Sequence, residues 1–109
     1  MKTIQTKQWD AREHGLHTEE NIRRTFSPPE WFRVSRYTYP LGTSFDGAMR
    51  PGVVHVMSGR CRYSFDDVSA IVSAGELAEL PGGAYSLQVL GEEELVVILA
   101  WRLPFKVPE

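Results

Sequence analysis

The sequence predicts an all-β domain, an antiparallel sandwich or barrel with one short N-terminal helix. Seven prolines and nine glycines divide the 109 residues into short segments, which suits strands better than long helices. From Trp31 onward the segments are rich in aromatic and β-branched residues, and turn signals recur about every eight to twelve positions. A chain of this length can bury one good core but not two. We therefore expect a single domain over residues 1–109, with a barrel over about 31–104 and an arm carrying the helix in 1–30.

The elements follow in order. Thr18 offers a side-chain N-cap, and Glu19 and Glu20 place negative charge at the positive end of a helix. Ile22 and Phe26 lie four apart on one face. Ser27–Pro28–Pro29 must end this helix, because proline has no backbone N–H to donate. Strands are then expected at Trp31–Tyr39, closing on Pro40–Leu41–Gly42, and at Val53–Met57, closing on Ser58–Gly59. Arg60–Phe65 and Val68–Val72 flank Asp66–Asp67, which reads as a two-residue hairpin turn. Glu76–Leu80 ends at Pro81–Gly82–Gly83, and Tyr85–Leu90 and Leu95–Arg102 flank Gly91 with its three glutamates. Val96–Leu99 is apolar throughout, so that strand should be covered on both faces. One cover is the barrel interior; the other is the N-terminal segment or the partner of a homodimer. Pro104–Glu109 reads as a short tail.

Hydrophobic residues at 42 % and charged residues at 24 % are ordinary for a folded domain. Twelve basic against fourteen acidic residues, with no basic stripe, argue against a nucleic-acid partner. The longest apolar run, Leu95–Trp101, is too short to span a bilayer, so no membrane partner is expected. Met1–Asp10 is polar and lacks the apolar stretch of a signal peptide. Cys61 is the single cysteine, so no internal disulfide can form. A reducing cytoplasm is the expected compartment.

The second half of the chain resembles the cupin family. Gly75, five residues, Pro81, Gly82, Gly83, two residues and then Ser86 match the spacing of the later cupin motif, with Ser86 where a metal-binding histidine belongs. Val53–Gly59 is similar to the glycine-terminated strand of the earlier motif, and counting back from Gly59 puts Gly52, Ala48 and Asp46 at its metal positions. The resemblance covers roughly 31–104 and implies a double-stranded β-helix, or jelly-roll barrel. Of the four positions only Asp46 could ligate, and one carboxylate does not hold a transition metal in a solvated pocket. No metal and no other cofactor is expected.

The remaining candidates were weighed residue by residue. His14 and His17 sit three apart, but Gly15 between them favours a solvated loop. Alternation turns Gly52, Val54 and Val56 inward and His55 outward, as a packed or interface histidine unless a bulge reverses it. Cys61, between Arg60 and Arg62, is either a small buried apolar side chain or a cation-activated thiol. Asp46 is a possible lone base beside Gly47 in a turn-like stretch. By the same alternation Ser86 and Gln88 should face the interior with Leu90, and one of Arg36 and Tyr37 must join them. Trp31, Tyr37, Tyr39, Phe45 and Tyr85 are expected mainly as core.

The candidate ligand-binding set is therefore Ser86, Gln88, Arg36, Tyr37, Asp46 and His55, with no catalytic residue assigned. The leading expectation is a metal-independent small-molecule binding or regulatory module that forms a homodimer. The alternatives are a metal-free isomerase or epimerase acting on a carbohydrate-like substrate, and a protein-binding barrel.

Overall fold

Nine strands carry the fold: β1 (Gln5–Gln8), β2 (Phe32–Tyr39), β3 (Ser44–Met49), β4 (Gly52–Ser58), β5 (Arg60–Phe65), β6 (Val68–Ser73), β7 (Glu76–Leu80), β8 (Gly83–Leu90) and β9 (Leu95–Arg102). A computed structural model describes residues 2–26 and 29–103. The strands form two antiparallel sheets, ordered β1-β7-β4-β9-β2 and β3-β8-β5-β6. Their facing sides enclose Val54, Val56, Cys61, Tyr63, Phe65, Val72, Leu87 and Val97. The expected barrel is thus an open sandwich rather than a closed hydrogen-bonded ring. β2 and β3 are edge strands of the two sheets, as are β1 and β6, and no ladder joins β2 to β3.

Most strands form where pattern and turn residues place them. Asp66–Asp67 makes the β5–β6 turn, with Asp66 in the left-handed region at φ 45°. At the β7–β8 corner a Cβ on Gly82 would lie 2.6 Å from Cδ of Pro51, so that close approach needs glycine. Two strands lacked a signal. β1 is exposed at all four residues and pairs with β7 through its backbone. β3 contains the Asp46–Gly47 pair that read as a turn.

The N-terminal helix runs over Glu19–Arg24 (α2), capped by the Thr18 hydroxyl on Asn21 N–H. Of the expected stop, Ser27 and Pro28 lie outside the described residues, as does the tail 104–109. A further single turn, α1 (Ala11–His14), forms because Asp10 accepts from the N–H groups of Arg12 and Glu13. It ends at Gly15 with φ 80°.

β9 is covered on both faces within the chain. Val97 joins the inter-sheet core, while Ile98 and Ala100 are 1 % exposed on the opposite face. His55 shares that outer face, directly opposite Ile98. It is sealed by Trp9, His17 and Phe26 from the N-terminal segment. Arg23 of α2 also donates to the Val34 carbonyl of β2. Of the two covers expected for this strand, the chain itself supplies the second.

The direction expected for Ser86 and Gln88 is reversed. Tyr85, Leu87 and Val89 take the interior of β8, opposite Tyr63 and Cys61 of β5. Gln88 is exposed and accepts from Arg62, while Ser86 lies between Ser64 and Asp46 on the outer face. β8 is already extended at Gly83, and one residue of phase moves every side chain to the other face.

Candidate functional site

Because β2 and β3 do not pair, a cleft of about 520 Å³ opens at the seam between them. Tyr37 and Tyr39 of β2, Tyr85 of β8 and Trp101 of β9 give it aromatic walls. Met49 and Leu99 add aliphatic surface, and Ala48 and the exposed Arg50 stand at its rim. Alternation builds these walls: Tyr37, Tyr39, Leu99 and Trp101 share the inward side of paired strands. Gly47 pairs directly with Tyr85, and a Cβ there would meet the Tyr85 ring at 3.1–3.3 Å. The missing side chain gives the ring its room.

The tyrosines are joined by a continuous chain of ring contacts that runs through Phe45. Tyr37 and Tyr39 lie 6.3 Å apart between centroids, Tyr39 packs on Phe45, and Tyr85 contacts Phe45, Tyr63 and Phe65. Burial raises the pKa of Tyr39, Tyr63 and Tyr85, and neighbouring phenols add to each shift. All three are therefore protonated at neutral pH. Among the described residues, none of the hydroxyls of Tyr37, Tyr39, Tyr63 and Tyr85 has a hydrogen-bond partner, yet no fully buried side-chain polar atom is left unsatisfied. Even Tyr63, only 2 % exposed, must therefore keep its hydroxyl in contact with solvent-accessible space. Arg50 makes no ion pair with any described residue.

A second polar cluster lies on the other side of the same sheet. His17 Nε2 and His55 Nδ1 are 3.1 Å apart, so one imidazole donates and the other accepts. Burial lowers the pKa of His55 to about 4, and the neighbouring His17 pushes it the same way. His17 is lowered by burial too. Trp9 stacks on His17 and donates from Nε1 to the Gly15 carbonyl. His17 is thus not the solvated-loop residue expected, because the fold of the arm carries it onto His55.

The other candidates separate widely. Tyr37 lines the cleft, whereas Arg36 is exposed on the outer face of β2, opposite Ile98. Asp46 is exposed beside Ser86 on the outer face. Cys61 is buried in the core and its thiol is pushed up to about 12 by burial, so it is a packing residue and no nucleophile. Sequence reasoning missed Trp101, Arg50, Met49 and Tyr85 as cleft residues. The apolar and aromatic ones carry no chemical motif, and only the gap between two sheet edges gathers them.

The residues present do not fit the metal of the wider fold class. Asp46 and Ser86 point away from the interior, and among the described residues no group of His, Cys, Asp and Glu side chains is arranged to hold a metal ion. Two antiparallel sheets with these strand pairings are nevertheless the double-stranded β-helix of the cupins. The structure is similar to that of the cupin domain of Schizosaccharomyces pombe Cnp3, with TM-score 0.55 and 12 % identity over 69 % of this chain and 55 % of that one. It is similar to Clostridium difficile EutQ, with TM-score 0.54 and 20 % identity over 91 % and 67 % of the two chains. A cupin superfamily protein from Desulfitobacterium hafniense DCB-2 matches at TM-score 0.56 and 8 % identity, over 93 % and 78 %. The chain thus spans little more than half of the Cnp3 cupin domain's chain. No family model matches the sequence, and no curated protein matches it. Among the described residues no helix is long and apolar enough to cross a membrane.

Proposed function

We propose that the protein is a metal-independent small-molecule binding module whose ligand enters the seam between β2 and β3. One observation carries this reading: a cleft with aromatic and aliphatic walls also presents several phenolic hydroxyls that have no partner among the described residues. Predominantly apolar walls with a few convergent polar groups are the usual form of a small-molecule site. The cupin fold of the chain supports the reading at the level of architecture. No histidine lines this cleft among the described residues, which leaves the isomerase reading without the His–Tyr pair its acid–base chemistry would use. The strand that motivated a homodimer is covered within the chain, so that expectation loses its strongest support.

Met49→Trp tests the proposal by filling the cleft from β3. Screening small acids, sugars and nucleotide-sugars by thermal shift should yield a ligand for the wild type. Met49→Trp should lose that shift while still melting cooperatively, at a cost of about 1–3 kcal/mol. Ser86→Leu, on the outer face, should bind as the wild type does. A ligand shift retained in Met49→Trp and lost in Ser86→Leu would place the site elsewhere.

A further inference from the structure

The geometry points to an acid as the ligand: an apolar, preferably planar body between Tyr37, Tyr85 and Trp101, with its carboxylate taken by Arg50 and the phenolic hydroxyls. This deepens the proposed function and rests on it. Charge complementarity selects this ligand class. Among the described residues lining the cleft there is no Asp, Glu, Asn or Gln, so it offers no side-chain anion and no side-chain amide to receive donors. Arg50 is its one cation among the described residues and makes no ion pair with any of them. Tyr37, Tyr39 and Tyr85 add phenolic hydroxyls without acceptors among the described residues, and Tyr63 lies against Tyr85 behind them.

A cationic ligand would meet the aromatic faces but also the like charge of Arg50, with no carboxylate among the described lining residues to pair with it. A polyol would find phenols and edge-strand carbonyls, but among the described lining residues no carboxylate, the strong acceptor for its hydroxyl protons. An anion meets both the guanidinium and the phenols, and guanidinium–carboxylate hydrogen bonds are among the strong ones. A single guanidinium among apolar walls further favours one acid group on an apolar body over a polyphosphate.

The test compares three probes with one ring system: naphthoate, its neutral amide and naphthylmethylamine. Tryptophan fluorescence and thermal shift report on binding to the full chain. Naphthoate should bind about tenfold or more tighter than the amide, and tighter still than the amine. Arg50→Gln should bring naphthoate down to the amide, and Tyr85→Phe should weaken naphthoate more than the amide. Arg50 is exposed and Tyr85→Phe keeps the ring, so both variants should melt as the wild type does. Equal binding of acid and amide, or a preference for the amine, overturns the acid ligand while leaving a small-molecule site in place. If none of the three probes binds, or all survive Met49→Trp unchanged, the site itself is wrong and the acid ligand falls with it.

Discussion

The two faces of the five-stranded sheet handle polar groups in opposite ways. On the outer face His55 is 2 % exposed, bonded to His17 and enclosed by Trp9 and Phe26. On the inner face, at the β2–β3 seam, phenols stay open to solvent and unbonded to any described residue. A buried polar group without a partner costs free energy, so the outer pair is closed by necessity. The seam tolerates unpartnered hydroxyls because water reaches them. The outer cluster is thus built for stability, and the inner one keeps its hydrogen-bonding capacity free for something else.

The largest expected effect breaks the closed side. His55→Ala should destabilise the fold by about 3–5 kcal/mol, since it leaves a cavity and strands His17 without its partner. Urea unfolding measures this directly. A cost below about 1 kcal/mol would mean that the arm does not seal the sheet.

Acid should act on the same pair. The folded pKa of His55, about 4, lies below the ordinary 6.5. Between those values the unfolded chain binds more protons than the folded one, so stability falls as pH drops through the window. It is fully present above pH 6.5, and up to about 3 kcal/mol is lost by pH 4. His55→Phe should remove most of this slope, as read from urea midpoints across the range. The neighbouring Lys7, Glu13, His14 and Glu79, which line the same outer pocket, remain in that variant as an internal control.

The smallest effect belongs to the open side. Tyr85→Phe removes a hydroxyl with no protein partner and should change stability by no more than about 0.5 kcal/mol. A loss near 2 kcal/mol would show that the hydroxyl has a structural role, and the contrast between the two faces would disappear.

Much of the fold could be read from local pattern. The Asp66–Asp67 hairpin, the Thr18 cap and the outward turn of His55 each depend on residues next to one another in the chain, and each forms as expected. The phase of β8 could not be read. The motif spacing put Ser86 inward, whereas register against β5 and β3 turned Tyr85 inward. A corner rich in glycine leaves strand phase undetermined, because glycine permits several exits. β1 escaped notice for a related reason: its four exposed polar residues carry no alternation, and it is held by backbone bonds to β7.

The sequence by itself determined an all-β chain, one core and a set of motif positions without metal ligands, because composition, turn residues and spacing are local properties. Tertiary structure alone decided that the sandwich stays open at β2 and β3, and that residues from four strands meet there as a cleft. It also decided that His17 reaches His55 across 38 positions of sequence. Both depend on how distant strands and the arm pack, and no short-range pattern encodes which faces come together.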